Sequence, residues 1–163
     1  MTLISVGTRG QRIGDKLIGG SAVVINGFVG ERLRLSAVNR VFAQDVNRLV
    51  EPFRHRDEER CWQTEFWGKW FTSAVLAYKY KNADSLKVML DKAVTDLVAT
   101  QSADGYIGNY KPSKLLEQWD IWGRKYCMLG LLHGMMLRRI EKFFWQVHGL
   151  LITCLLILLR SIM

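Results

Sequence analysis

The feature that most constrains the fold is a series of apolar residues at spacings of three and four that begins near residue 31 and ends near residue 98. This period is typical of amphipathic α-helices, whose apolar side chains lie on one face. The first helix is predicted over 31–50, because Pro52 forces the preceding residue out of the helical region. A second helix begins near Thr64, a favourable N-cap, and ends in the polar stretch 80–82.

A third helix is predicted over 86–98 and a fourth over about 117–139, with a turn-rich loop at 101–110 between them. The stacked hairpins of α-solenoids and α/α toroids have this same order of elements: a helix, a short turn, a second helix, a longer loop and a third helix. Strand patterns are nearly absent after residue 30, and one β-like run occurs earlier, at 22–25. The sequence therefore predicts an all-α fold of helical hairpins, with a short β-like segment near the N-terminus.

The composition excludes several classes of protein. The formal charge of +8 comes from scattered basic residues rather than a dense run, and no nucleic-acid-binding module is recognisable, so a solvated surface is the favoured interpretation. A nucleic-acid binder, whose affinity would fall steeply with salt, stays the least favoured alternative. Three widely spaced cysteines predict neither a disulfide framework nor a zinc site. The N-terminus lacks a secretory signal pattern, which makes the cytoplasm the default location.

Five short segments occur in order along an all-α chain: 27–32 (GFVGER), 39–45 (NRVFAQD), 65–70 (EFWGKW), 104–108 (DGYIG) and 122–127 (WGRKYC). Together they resemble the N-terminal part of the catalytic domain of glycoside hydrolase family 127, the β-L-arabinofuranosidase-type enzymes. The resemblance covers 27–132 and implies an (α/α)6 barrel that releases L-arabinofuranose from plant-type glycans. It also implies a zinc site of one Glu and several Cys, with a cysteine nucleophile, but these residues lie downstream of the similar stretch in the family.

The resemblance consequently assigns no catalytic residue, metal ligand or cofactor to this chain, which we expect to be inactive alone. Many family members carry the segment His-Glu-Leu-Tyr-Cys, whose His helps to bind the sugar. When that segment is aligned on Tyr126 and Cys127, its His falls on Gly123. This departure leaves arabinose specificity open.

The last segment, 140–163, has a different character, since 143–159 carries no charged residue. Seventeen residues is the lower limit for crossing a bilayer, which usually needs about 20. A short membrane helix, a buried helix of a larger domain, and sequence that is not native to the fold are the three interpretations. The resemblance favours the third, as a truncated or frameshifted end. The sequence is therefore predicted to consist of an N-terminal segment (1–26), part of the barrel (27–139) and this tail (140–163). The alternative to a glycoside hydrolase is a small membrane-anchored helical protein without enzymatic activity.

Carboxylates accept hydrogen bonds from sugar hydroxyl groups, and aromatic rings stack on the apolar faces of sugars. On that basis the residues predicted to bind an oligosaccharide are Asp104, Tyr106, Asn109, Tyr110, Asp120, Trp122, Glu65 and Trp67. Each has a structural alternative. Asp104 belongs to an Asp-Gly turn, Glu65 suits the positive end of a helix dipole, and Trp67 fits a core position. Asp104 and Asp120 could also form the carboxylate pair of an ordinary glycosidase, at a separation of about 5–10 Å.

Overall fold

The computed structural model describes residues 24–81, 83–138 and 149. Its main helices are α1 (Gly27–Ser36), α2 (Val46–Val50), α3 (Thr64–Lys81), α4 (Asp84–Val98) and α5 (Asp120–Arg138). A π-helix, Ala37–Phe42, continues α1, and two 3-10 helices occupy Glu51–Arg54 and Pro112–Lys114. The described residues form helices and no strand, which confirms the all-α class.

The predicted β-like segment is not formed where the structure describes it, because Val24 and Ile25 have no regular secondary structure. The other residues of that segment, 22 and 23, lie outside the described residues, as do 1–21 and, except for Gly149, the predicted tail 140–163. The single helix predicted over 31–50 is also wrong. The Asp45 carboxylate accepts hydrogen bonds from the amides of Asn47 (2.9 Å) and Arg48 (3.3 Å), and so begins a separate helix, α2.

The apolar period survives this break because the residues before and after it face the same core. Val41, Val46 and Val50 are all buried, and the Trp70 indole N–H of α3 donates to the carbonyl of Val41 at 3.0 Å. Pro52 does not terminate the helical path either. It lies near the start of the 3-10 helix Glu51–Arg54, where the missing N–H leaves no hydrogen bond unmade.

Helices α3 and α5 pack closely against each other. A Cβ atom added to Gly68 would lie 2.1 Å from the carbonyl oxygen of Tyr126, and one added to Gly123 would lie 2.1 Å from the Thr64 hydroxyl. Only glycine permits backbones to approach so closely. Thr64 meets the start of α5, and Phe71 meets Gly134 further along, so α3 and α5 run in the same direction.

Helix α4 runs in the opposite direction, since it leads back to the loop that contacts the start of α5. Its inward face packs against α2 and α3 and consists of Leu86, Leu90, Ala93, Val94 and Leu97. Alternate helices that run parallel, with an antiparallel helix between them, are the arrangement that stacked helical hairpins produce. The hairpin order predicted from the sequence is therefore present.

Candidate functional site

The loop between α4 and α5 is shaped by Asp104. Its carboxylate accepts hydrogen bonds from the Ser102 hydroxyl at 2.5 Å and the Tyr106 amide at 3.2 Å, while Gly105 adopts a φ of +91°. The Ser102 hydrogen bond is the main reason that the pKa of Asp104 lies below its ordinary value. These contacts are those of a tight turn, although the Asp104 side chain stays exposed at the surface.

Asp120 lies at the first turn of α5 and holds the loop to that helix. One carboxylate oxygen accepts from the Tyr106 hydroxyl at 2.8 Å, and the other accepts from the Leu116 amide at 2.7 Å. The second oxygen also accepts from Arg124, whose guanidinium nitrogens lie at 2.9 and 2.7 Å. Asp120 and Arg124 are only 2% and 1% exposed. This buried, charge-assisted network organises the fold at the base of the loop.

Two further features belong to this network, one in the backbone at Leu116 and one in the contact between the Arg124 and Tyr106 side chains. Leu116 has a φ of +64°, a left-handed conformation that is uncommon for a leucine, and its amide is the donor to Asp120. The Arg124 guanidinium lies 4.3 Å from the centroid of the Tyr106 ring. Burial is the main cause that raises the pKa of the Tyr106 phenol, so the hydroxyl stays protonated and donates to Asp120.

Tyr110 connects the same loop to the segment that precedes α3. Its hydroxyl donates to the carbonyl of Cys61 at 3.1 Å and accepts from the amide of Trp119 at 3.3 Å. A backbone bridge joins the two segments again, because the Glu58 amide donates to the carbonyl of Asn109 at 3.1 Å. The loop, the connector before α3 and the start of α5 therefore meet at one end of the hairpins.

Asn109 is the unusual member of this end. It is 1% exposed, and among the described residues neither its side-chain oxygen nor its side-chain nitrogen has a hydrogen-bond partner. Native proteins leave few buried polar groups without a partner, and each such group costs about 1–3 kcal/mol. Asn109 also lines a groove of about 1140 Å³. Other residues that line this groove are Gln44, Asp57, Glu58, Phe66, Lys69 and Trp70.

The remaining predicted residues occupy different environments. Trp67 is fully buried and stacks on Phe71 with a centroid distance of 4.7 Å, which is a core position. The Glu65 carboxylate, 11% exposed, forms an ion pair of 2.8 Å with Lys69. Trp122 is 39% exposed and meets Tyr126 edge to face. The segments that carry the predicted residues, namely the 101–110 loop and the starts of α3 and α5, thus meet at one end of the hairpins. Four of the predicted residues are buried there: Tyr106, Tyr110, Asp120 and Trp67.

Sequence reasoning did not single out the groove. Glu58 lies in a charged connector that resembles a solvated loop, and Phe66 belongs to a helix whose aromatic residues predict a core. Lys125, beside Trp122 on the surface, was likewise not predicted. Its position three residues after Trp122, one helical turn along α5, is the pattern that could have indicated a contact with the ring.

Gly123 occupies the position that corresponds to the sugar-binding His of the resemblance. The close approach of Thr64 leaves no room for a side chain there while α3 and α5 are packed as observed. Within the ranges that the structure describes, no group of three or more His, Cys, Asp or Glu residues could hold a metal ion, and Cys61 and Cys127 are unpaired. No described helix is both long and apolar enough to cross a membrane; the stretch 143–159, apart from Gly149, lies outside the described residues.

Comparison of the chain with protein-family models, with curated proteins and with solved structures finds no match in any of the three. The class that the fold itself defines is an all-α protein of helical hairpins.

Proposed function

We propose that this chain is the sugar-binding part of a carbohydrate-active protein of the glycoside hydrolase type. In this proposal its hairpins belong to an (α/α)6 barrel, and the groove beside Asn109 receives part of a plant-type glycan. The observation that carries the proposal is Asn109, which lines an open groove and whose buried amide group has no hydrogen-bond partner among the described residues. A group that is costly to leave unpaired in the free protein gains most when a ligand supplies the missing hydrogen bonds.

The chemistry of the groove fits a polyhydroxylated ligand. Every sugar hydroxyl both donates and accepts hydrogen bonds, and the Asn109 side chain likewise offers an acceptor oxygen and a donor nitrogen. Asp57 and Glu58 add acceptors, and Lys69 adds a donor. Phe66, which is 46% exposed, provides apolar surface for the C–H face of a sugar ring.

The architecture supports the same proposal. In a toroid of helical hairpins the loops at one end of the inner helices line the cavity, and here the 101–110 loop, the start of α3 and the start of α5 meet at one end. The resemblance to the β-L-arabinofuranosidase-type family is the basis for a glycan as ligand and for hydrolysis as the reaction of the whole barrel. No residue of this chain is proposed as catalytic, and no cofactor is proposed within it.

The proposal is tested by titrating the protein with arabino-oligosaccharides and other plant-type oligosaccharides, using calorimetry and amide chemical shifts. We expect saturable binding, with shift changes at Asn109 and its groove neighbours. The variant Asn109→Ala should weaken binding at least about tenfold, which corresponds to about 1.4 kcal/mol. Asn47→Ala, at an exposed position on α2, is the matched control and should bind as the wild type does.

Unfolding experiments on the same variants separate this role from a structural one. Because Asn109→Ala removes two unpartnered buried polar atoms, it should leave the free energy of unfolding unchanged or raise it by about 1 kcal/mol. Weaker binding without weaker folding is the expected combination. A destabilised Asn109→Ala variant that binds sugars normally would show that the amide serves the fold, and absence of binding to every oligosaccharide would refute the proposed function.

A further inference from the structure

A second surface, around the start of α5, combines aromatic rings with lysines from α5 and α3. We define the aromatic–lysine face as Trp119, Trp122, Lys125, Tyr126 and Lys69. Trp119 and Trp122 are 45% and 39% exposed, which is unusual for the largest apolar side chains. Their rings meet at a centroid distance of 6.4 Å, and the Trp122 and Tyr126 rings meet at 5.5 Å, so the three rings form a continuous row.

Two ammonium groups lie over this row. The Lys125 nitrogen is 3.9 Å from the Trp122 centroid and 4.7 Å from the Tyr126 centroid, and the Lys69 nitrogen is 4.8 Å from the Tyr126 centroid. Lys69 is partly neutralised by its ion pair with Glu65. Lys125 forms no ion pair with any carboxylate in the described part of the chain, and the nearby Asp120 is buried against Arg124. Within the described part of the chain, no carboxylate compensates the positive charge of Lys125 beside these exposed rings.

The face is connected to the groove through Lys69. This residue lines the groove that contains Asn109, and its ammonium group lies over Tyr126 at the same time. A chain-like ligand that leaves the groove beside Lys69 would therefore meet the row of rings on α5. Aromatic rings and ammonium groups together match a ligand whose units have an apolar face and a negative charge.

We infer that the glycan bound in the groove extends over the aromatic–lysine face and carries acidic sugar units, with the uronate carboxylate recognised by Lys125. The inference rests on the proposed function and adds the chemical class of the glycan. Sugar rings pack on Trp119 and Trp122, and a carboxylate supplies the counter-charge that Lys125 does not find among the described residues. The formal net charge of +8 favours the approach of an acidic polymer over a neutral one.

The test compares an oligogalacturonate with the same oligomer after complete methyl esterification, by calorimetric titration of the full chain. Esterification keeps the ring, the hydroxyl groups and the linkage, and replaces each carboxylate by a neutral methyl ester. We expect the acidic form to bind about three- to tenfold more tightly at low salt, and the difference to shrink as salt is added, as for a partly exposed ion pair. Lys125→Gln should abolish the difference and keep the binding of the ester.

Lys87→Gln is the matched control, since it removes one positive charge from α4, where Lys87 pairs with Asp91. It should retain the preference for the acidic oligomer. Equal binding of acid and ester by the wild type would overturn the inference and leave the proposed function standing. The inference would also be overturned if the Lys125 and Lys87 variants lost the preference for the acidic oligomer equally, or if duplex DNA bound as tightly as the oligogalacturonate. Either result would indicate a general attraction to polyanions. If neither oligomer nor any neutral oligosaccharide binds, both proposals fail.

Discussion

Removal of the Asp120 carboxylate should be one of the most damaging single changes to this fold. In Asp120→Ala, the Arg124 guanidinium stays charged at 1% exposure and loses its ion pair. The Tyr106 hydroxyl and the Leu116 amide lose their acceptor at the same time. Loss of one partner of a buried ion pair costs about 3–5 kcal/mol, because the remaining charge is left without compensation. We therefore expect a loss of about 4 kcal/mol, a large share of the 5–15 kcal/mol typical of a domain.

The double variant Asp120→Ala with Arg124→Met separates the ion pair from the rest of the network. Methionine fills much of the same space without a charge, so the penalty for a buried guanidinium that has lost its carboxylate partner disappears. The double variant should then lose about 2 kcal/mol, less than Asp120→Ala alone, although it carries one more substitution. Asp120→Asn should fall between them, since it keeps an acceptor oxygen but removes the charge.

Urea denaturation followed by far-UV circular dichroism gives the free energies of unfolding of the wild type, of these three variants and of Arg124→Met alone, with the midpoint and the slope fitted separately. If Asp120→Ala lost less than about 1 kcal/mol, or if the two substitutions were simply additive, the assignment of Asp120 to the fold would be wrong. The same variants also test the prediction from the sequence that Asp120 binds the oligosaccharide. An unchanged stability together with lost sugar binding would instead make Asp120 a residue of the sugar site.

Three further predictions concern separate parts of the molecule. Gly68→Ala should lower the free energy of unfolding by about 2–3 kcal/mol, because the new Cβ atom would collide with the Tyr126 carbonyl. Ser73→Ala, on the exposed side of α3, is the control, and equal stabilities of the two variants would contradict the close packing of α3 and α5. Asp104 has a lowered pKa, so the stability that its hydrogen bonds supply is present above the unfolded value of about 3.9 and is lost as the pH falls through the folded pKa. The difference in stability between wild type and Asp104→Ala should therefore shrink as the solution is acidified below the folded pKa, and a difference that grows with acidity would contradict the prediction. Burial raises the pKa of the Cys127 thiol, so in a Cys154→Ser background iodoacetamide should modify Cys127 only after urea unfolding, as mass spectrometry of the peptides would show.

Much of the local structure could be predicted from the sequence. The period of apolar residues places α3 and α4 close to their observed bounds, since Thr64 begins α3 and Val98 ends α4. The break between α1 and α2 could not be found from that period, because residues on both sides face one core. The Asp45 side chain, which caps α2, was the available signal, and a cap inside an apolar repeat is easily mistaken for a solvated helical position.

The candidate site, too, could be predicted only in part from the sequence. Residue types pointed to the loop 101–110 and to the starts of α3 and α5, and these segments do meet in the structure. The type of a residue does not reveal its surroundings. Asp120 and Tyr106 are partners of Arg124 inside the fold. Trp67 stacks in the core, where its indole N–H has no partner in the described part of the chain. Asn109 likewise has a buried side chain without a described partner, and it also lines the groove.

The sequence by itself determined that this protein is built from amphipathic helices in hairpin order, because the spacing of apolar residues is a local property that every helix must satisfy. Only the tertiary structure decided which of the described polar groups have partners within the fold and which do not. That distinction depends on contacts between residues far apart in the chain, such as Thr64 with Gly123 and Lys69 with Tyr126. Burial and pairing are properties of the packed helices, and no helix has them alone.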